Sequence, residues 1–340
     1  MRIPEEKISA MLAYEAFLRR ASQVNLPFML KGSYVTRQYF MNPDERIPND
    51  LDWVYLLSIA DIEKARSLFD SWVIQVTETY ERDGVQFQSF KENAFWRMLD
   101  YAMADDFPTI NTDLKCWVDG EEFDWFGLDI SFNLEVEVPP IPLLYTPLRG
   151  EPFTIPYTVP LSLQVAWKLH QTLVRPRFKD IFDLIHLLKH PSFNERTFEQ
   201  TLQALINECR VDKVNIHSIQ WLIEGKLKPL FKEVDCNAMW EFWRFGKSSQ
   251  LPYDFYEKAQ QITDADTLPT QLPVFVFQLQ TALNQAGFNS EVIRNLPANT
   301  SDKRRDHSTL RADVQNYTLS QTVSQDRKAI IINFFRKLFK

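Results

Sequence analysis

Residues 31–57 read KGSYVTRQYFMNPDERIPNDLDWVYLL, and two aspartates near their end decide how the chain is interpreted. Asp50 and Asp52 flank one leucine and lead directly into residues 53–57, an apolar run typical of a buried β-strand. Alternate residues of a strand point to the same face, so the two carboxylates are expected to lie side by side. Like charges at this distance destabilise a fold unless another charge neutralises them. The stretch therefore predicts a bound cation.

Paired strand carboxylates are suited to bind Mg²⁺, which prefers hard oxygen ligands and often takes only one or two of them from protein. A third acid from a neighbouring strand is expected to complete the site. Asp129 is the best candidate, because it lies on the polar face of the alternating segment GLDISFNLEVEV at 127–138. Asp124 is the alternative, although Gly127 is expected to interrupt the strand between the two acids. Read alone, Asp-x-Asp could equally be two solvated acids at a sheet edge.

A Gly-Ser pair precedes these acids and favours phosphate binding. The apolar run at 26–30 predicts a strand, and Gly32 follows it at a point where a backbone can approach a ligand closely. The Ser33 hydroxyl and the amides after it could then hold a triphosphate. The sequence contains neither GxxxxGK[ST] nor GxGxxG, so a P-loop and a Rossmann dinucleotide site are excluded.

Composition indicates a globular protein of the cell interior. The 340 residues are 45% hydrophobic, no apolar run approaches the roughly 20 residues of a membrane span, and the amphipathic N-terminus resembles neither a secretory nor a transit peptide. The three cysteines lack metal or redox spacing, which predicts a reduced, cytoplasmic protein.

The net charge of −7 is distributed unevenly along the sequence, with +5 after residue 300 and −12 before it. This balance disfavours non-specific coating of nucleic acid, although a local basic groove remains compatible with it.

The predicted organisation has four parts. Residues 1–158 form an α/β core that ends in a proline-rich crossing, and residues 159–290 form a helical domain. Residues 291–325 are polar and predict a linker. Residues 326–340 predict a basic amphipathic helix that packs on the protein's own acidic body; a membrane surface, RNA or an antitoxin are the alternative partners.

A second block of sequence identifies a family. Residues 163–190 read LQVAWKLHQTLVRPRFKDIFDLIHLLKH, and they resemble the Lys-Leu-His and Arg-x-x-Lys-Asp-x-x-Asp-Leu block of the AbiEii/AbiGii abortive-infection toxins. These toxins are nucleotidyltransferases of type IV toxin–antitoxin systems, within the DNA polymerase β-like superfamily. KGSYVTR and GLDISF match the family's phosphate loop and third-acid strand, so the resemblance covers about residues 25–190. The gap of 16 residues between Ser33 and Asp50 is long for the superfamily at large, and the chain has Gly-Ser where many family members have Gly-Gly-Thr.

The resemblance implies an α/β (α+β) nucleotidyltransferase domain with a small mixed sheet, joined to a helical C-terminal domain. It implies transfer of a nucleoside monophosphate from an NTP with two Mg²⁺ ions, or with Mn²⁺. The expected metal ligands are Asp50, Asp52 and Asp129, and the expected nucleotide-binding residues are Gly32, Ser33, Arg37 and Lys168. Asp183 or Asp180 is expected to be needed for activity, by orienting the lysine. Taken alone, Lys179 and Asp183 could instead form an ordinary surface ion pair across one helical turn.

The acceptor and the partner follow from the same resemblance. It points to RNA, particularly tRNA 3′ ends, and to a toxin with a cognate antitoxin protein. The alternatives are transfer to a small molecule or a protein side chain, and a catalytically silent module that only binds nucleotide or a partner. No stable membrane association is expected, because a single short helix without a lipid anchor binds only marginally.

Overall fold

The structure is a computed structural model that describes residues 3–98, 108–232, 234–245 and 262–297. Its strands are β1 (Phe28–Lys31), β2 (Leu51–Tyr55), β3 (Val85–Phe87), β4 (Arg97–Met98), β5 (Thr109–Val118), β6 (Glu121–Phe132), β7 (Ile141–Tyr145) and β8 (Phe153–Thr158). Its α-helices are α1 (Glu5–Ala21), α2 (Ser33–Arg37), α3 (Ile62–Glu78), α4 (Leu161–Val174), α5 (Phe178–Lys189), α6 (Glu195–Val211), α7 (Ile219–Ile223), α8 (Leu227–Leu230), α9 (Cys236–Phe245), α10 (Leu272–Gln285) and α11 (Ser290–Arg294).

The described strands form one mixed sheet in the order β3-β5-β6-β2-β1-β8-β7, with β4 beside β5. β2 runs parallel to β6 and β1 runs parallel to β8, while the remaining neighbours are antiparallel. The strand that follows the first aspartate therefore lies in the middle of the sheet. The two aspartates therefore do not lie at a sheet edge.

Aromatic side chains fill the space between the central strands and α3. Phe28 of β1 stacks on Trp72 of α3 with ring centroids 3.9 Å apart, and Trp53 of β2 meets the same indole edge-on at 5.1 Å. All three side chains are buried. A strand with bulky residues against such a layer has a strongly specified register, because a slip by one residue would turn these rings to the other face. The packing thus fixes which residues of β2 point away from α3.

The helices that follow β8 pack on one another as well as on the first part of the chain. α4 packs against α6 and α5, and α10 packs against α5. The predicted boundary between 1–158 and 159–290 falls between β8 and α4, but buried apolar residues from Leu12 to Ile293 form one continuous cluster. The division of the chain into separate domains therefore stays a prediction.

Two local predictions differ from the structure. β6 continues through Gly127 without interruption. The proline-rich crossing contains β7 and β8. Pro142 is tolerated there because β7 is an edge strand, and prolines are confined to edges or to unpaired positions of a sheet.

Most of the predicted C-terminal region lies outside the described residues. The described part of the predicted linker includes most of the short helix α11. The rest of that linker and the predicted helix at 326–340 lie outside the ranges given above. Within those ranges, no helix has the length and apolar character required to cross a lipid bilayer.

A buried ion pair fastens α1 to α2 and to β7. Glu15 accepts hydrogen bonds from Arg37 Nη1 at 2.7 Å and from the Tyr145 hydroxyl at 2.9 Å, and Arg37 also donates to Asp44 Oδ1 at 3.0 Å. Burial raises the pKa of the Glu15 carboxyl even though Arg37 opposes the shift. The network joins segments that are more than a hundred residues apart in sequence.

Glu15→Ala should lower the free energy of unfolding by about 3 kcal/mol or more, because it leaves the buried Arg37 guanidinium without its closest carboxylate. Urea unfolding followed by tryptophan fluorescence measures the change. Glu78→Ala is the matched control, since Glu78 pairs with Lys91 at 3.0 Å on the surface and should unfold like the wild type. Equal effects of the two substitutions would contradict a structural role for the Glu15 network.

Candidate active site

Gly32 gives the turn after β1 its shape. Its φ of 75° lies in the region that favours glycine, and a Cβ at this position would lie 3.0 Å from the Asp52 carboxyl carbon. The backbone can therefore pass directly beside a carboxylate. α2 begins at the next residue, and the Ser33 hydroxyl donates to Asp50 Oδ1 at 3.5 Å. The glycine and the serine predicted for phosphate binding thus lie against the predicted metal ligands.

The register of the sheet brings the three predicted acids together. Asp52 of β2 lies opposite Asp129 of β6 and opposite Lys31 of β1. Asp50 comes one residue before β2 and faces the solvent in the cleft. Asp129 accepts a hydrogen bond from the Asn111 amide, and Lys31 Nζ lies 3.4 Å from Asp52 Oδ1. The three carboxylates thus meet at the end of the central strands, and Lys31 pairs with one of them, Asp52.

Burial and mutual repulsion act on these acids in the same direction. Burial, followed by the neighbouring Asp52 charge, raises the pKa of the Asp129 carboxyl to about 7. Desolvation by the surrounding protein, and then the Asp52 charge, also raise the pKa of the Asp50 carboxyl. Carboxylates that resist ionisation in this way favour a nearby cation.

The donor set suits a divalent cation that brings further ligands with it. Within the described residues, no group of three or more His, Cys, Asp or Glu side chains forms a ready-made metal site. Mg²⁺ does not require one, because it is commonly held by one or two carboxylates together with substrate phosphate oxygens and water. Asp50, Asp52 and Asp129 supply such carboxylates. The side chain of Asp124, the alternative third acid, is outside the described positions.

The facing wall of the cleft carries basic groups from α4 and α5. Lys168 Nζ lies 2.7 Å from Asp183 Oδ2 and 3.1 Å from Asp180 Oδ1, and Arg177 Nε donates to Asp180 Oδ2 at 2.6 Å. Burial lowers the pKa of Lys168, but Asp183 and Asp180 outweigh it, so the net shift is upward. The lysine therefore stays charged although it is buried. The surface ion pair considered for Lys179 and Asp183 is not what the structure contains, because the Asp183 side chain is fully buried.

Arg46 joins this wall from a distant part of the chain. It follows a short 3₁₀ helix at Pro43–Glu45, and its Nε and Nη2 donate to the two Asp183 oxygens at 2.7 and 3.1 Å. Its Nη1 donates to the Ile47 carbonyl at 2.6 Å. The loop is supported from outside by a backbone bridge between Arg46 and Ile262, and by a hydrogen bond from the Thr263 amide to the Glu45 carbonyl at 3.3 Å.

The two walls enclose one cavity of about 370 Å³. Most of the predicted site residues line it, namely Gly32, Ser33, Asp50, Asp52, Asp129, Lys168 and Asp180. Further lining residues include Lys31, Arg46, Gln164, Trp167, Arg177 and Lys179. Asp183 does not line the cavity; it lies behind Lys168 and Arg46 and holds both cations.

Arg37 is placed away from the cavity. Its guanidinium is fully buried and its donors are used by Glu15, Tyr145, Asp44 and the Pro43 carbonyl. The nucleotide-binding role predicted for Arg37 is therefore not carried into the proposed site. The physical reason is that Arg37, the last residue of α2, is paired with Glu15 on α1.

Sequence reasoning missed two polar residues of the cleft. Gln164 donates to the Gly32 carbonyl at 3.2 Å and to Thr36 Oγ1 at 2.7 Å, so it holds the turn after β1. Its position one helical turn before Lys168 was a usable signal, because residues four apart share a helix face. Arg46 offered no such signal, since its partner Asp183 is 137 residues away.

Comparisons with known proteins identify related sequences and structures. The model of a family described as nucleotidyl transferase AbiEii toxin of type IV toxin–antitoxin systems matches residues 16–252. No curated protein matches the chain. A solved structure from H. pylori, provisionally described as a nucleotidyltransferase, aligns with a TM-score of 0.44 at 12% identity over 87% of this chain and 99% of that one. MenT4, a nucleotidyltransferase toxin from Mycobacterium tuberculosis H37Rv, aligns with a TM-score of 0.43 at 12% identity over 91% and 92%.

Asp183→Asn should lower the free energy of unfolding at pH 7 by about 3 kcal/mol or more, because Arg46 and Lys168 lose their shared buried charge. Burial raises the pKa of Asp183, but Arg46 and then Lys168 outweigh it and hold the pKa well below its usual range. The stabilisation is therefore fully present above the unfolded-state pKa of about 4 and is lost as the pH falls through the folded-state value.

Chemical unfolding of both proteins between pH 7 and pH 3 measures this dependence. The difference between the wild type and Asp183→Asn should shrink towards acid. Asp266→Asn, an exposed aspartate, is the control and should change stability at pH 7 by no more than about 0.5 kcal/mol. A difference that stays constant across the whole pH range would argue against a charged Asp183 in the folded protein.

Proposed function

This chain belongs to the AbiEii nucleotidyltransferase toxin family, and from that premise we propose that it moves a nucleoside monophosphate from an NTP to an acceptor hydroxyl. The strongest support is the cavity with carboxylates on one wall and ammonium and guanidinium groups on the other. A triphosphate bound with divalent cations needs both kinds of group within one cleft. We propose Mg²⁺ as the cation, with two ions bound and with Mn²⁺ as an alternative.

We assign a role in the reaction to the predicted site residues of the cleft. Asp50, Asp52 and Asp129 hold the divalent cations, which when bound supply positive charge for activating the attacking hydroxyl and stabilising the leaving group. Ser33, beside the Gly32 turn, binds a phosphate oxygen. The acceptor oxygen forms a bond to the α-phosphorus while the bond to the β-phosphate oxygen breaks, and pyrophosphate leaves. The acceptor proton passes to a base, for which Asp129 is our candidate in addition to its role as a ligand.

Lys168 is proposed to bind the phosphates of the leaving pyrophosphate. The observation in favour is its 8% exposure: the ammonium is held by Asp180 and Asp183 yet still reaches the cavity. A positive charge fixed in advance requires little reorganisation when negative charge develops on the leaving group. Asp183, which does not line the cavity, acts as a positioning residue for this lysine.

The proposed acceptor is RNA, in particular the 3′ end of tRNA, and the proposed role is that of a toxin controlled by a cognate antitoxin protein. Arg175 and Arg177, between α4 and α5, and Lys179 on α5 line the cleft, and cations of this kind favour a polyanionic acceptor. Transfer to a small molecule or to a protein remains the alternative within the same chemistry. A module that binds nucleotide without transferring it is the alternative outside enzymes.

The test incubates the purified protein with each α-³²P-labelled NTP, total RNA and Mg²⁺, and separates the products by electrophoresis. Label in RNA of tRNA size is the expected result. Label in the protein itself or in an added protein would favour protein modification. Nucleotide binding without any labelled product would support the silent module and contradict our proposal.

Asp52→Asn and Asp50→Asn should each lower the rate of transfer at least about a hundredfold, because each removes a charge that holds the cation at the reacting phosphates. The melting temperature without metal should stay unchanged or rise, since one carboxylate repulsion is removed. Asp266→Asn is the control and should keep wild-type transfer. Near-normal turnover by either active-site variant would remove that aspartate from the proposed metal site.

A further inference from the structure

The guanidinium of Arg46 is a buried cation at the cavity for which the family resemblance gave no role. It is 3% exposed and nevertheless lines the cleft. Burial lowers its pKa, but Asp183 outweighs this and the net shift is upward, so the charge is retained. A charge kept inside a protein costs folding free energy unless its pairing is close. Arg46 meets this condition through both oxygens of Asp183.

Arg46 makes three hydrogen bonds within the protein and also lines the cavity. Three bonds use one N–H each on Nε, Nη1 and Nη2, and a guanidinium carries further N–H groups on its two terminal nitrogens. The planar fork is held in one orientation by its two bonds to Asp183. A guanidinium held in this way matches the oxygens of a phosphate better than a flexible ammonium does.

Three cations of this cluster reach the cavity. Arg46, Lys168 and Arg177 pair with Asp183 and Asp180, and all three cations line the cavity whereas Asp183 does not. Positive charge is therefore presented to the cavity, where it suits the oxygens of an oligophosphate.

We propose that Arg46 binds the polyphosphate of the NTP directly, beside Lys168, and that Asp183 positions both cations for this contact. The inference rests on the proposed function, because it assigns one more contact to the same ligand. It also gives a role to the segment between Ser33 and Asp50, which is long for the superfamily at large. That segment carries the 3₁₀ helix and delivers Arg46 to α5.

The test measures binding of inorganic tripolyphosphate with Mg²⁺ by calorimetry. Arg46→Lys should weaken binding by about tenfold, because lysine retains the charge and loses the fork, and Arg46→Gln should weaken it further. Arg37→Lys is the matched control: Arg37 is equally buried and paired with Glu15, but it does not line the cavity. The control should bind tripolyphosphate within about twofold of the wild type, even if its melting temperature falls.

A second ligand shows whether weaker binding comes from a lost phosphate contact or from a general change in the shape of the cleft. Nucleosides, which lack phosphates, should bind the Arg46 variants and the wild type equally. Wild-type affinity of both Arg46 variants for tripolyphosphate, or equal weakening in Arg37→Lys, would overturn the proposal and leave Arg46 as a structural clamp. If Arg46→Gln does not unfold cooperatively, Arg46→Lys decides alone, because its charge still pairs with Asp183.

The two proposals can fail separately. If the wild type transfers label to an acceptor while the Arg46 variants bind tripolyphosphate normally, the role of Arg46 is wrong and the proposed function stands. The opposite result is also possible: the wild type transfers no label, but the Arg46 variants bind tripolyphosphate more weakly than the wild type does. Arg46 is then a polyphosphate contact in a protein without transferase activity.

Discussion

A single buried carboxylate holds the basic wall of the cleft together. Asp183 lies on α5, and it bonds to Arg46 from the loop before β2 and to Lys168 on α4. Lys168 and Asp183 lie on consecutive helices, whereas Arg46 comes from 137 residues away, so the pairing fixes the loop before β2 against α5 and the cations against the cavity at the same time. The fully buried charge is tolerated because both of its oxygens are paired with cations. Stability and site geometry therefore depend on the same atoms.

The opposite wall of the cleft carries carboxylates in place of the cations. Asp50, Asp52 and Asp129 are brought together by β2 and β6 with Lys31 as their nearby cation, and the pKa values of Asp50 and Asp129 are raised. The cleft thus has one wall whose cations are already paired with carboxylates and another that favours an added cation. A ligand that carries both phosphate and metal would complement the two walls together. Such a division explains why stability and activity need not change in parallel in this cleft.

The residues that sequence reasoning found are those with a local pattern. Asp50, Asp52 and Asp129 stood out because strands alternate, and Lys168 because a helical stripe placed it at the edge of the core. The mixed sheet and the central position of β2 agree with that reading. Two strands in the proline-rich crossing were missed, since proline is read as a break and its tolerance at an edge depends on the finished sheet.

Residues whose partners are far away in sequence could not be assigned from local patterns. Arg37 was assigned to the nucleotide because it follows the Gly-Ser turn, yet Glu15 on α1 and Tyr145 on β7 take its donors. Arg46 was overlooked because only the folded chain brings it to Asp183. Both arginines lie in the same short segment, and nothing in its local sequence distinguishes the structural one from the one that reaches the cleft.

The bridge that supports the Arg46 loop has a consequence for the order in which the chain is made. A ribosome completes the Gly-Ser turn and all three aspartates within the first 129 residues, and it adds Lys168 and Asp183 soon afterwards. The loop gains its outer support only when Ile262 and Thr263 emerge, about 80 residues later. The acids and the cations of the cleft are thus synthesised well before the residues that support the Arg46 loop from outside. For a protein of a toxin family, this order means that the last support of the cleft becomes available only after most of the polypeptide has been synthesised.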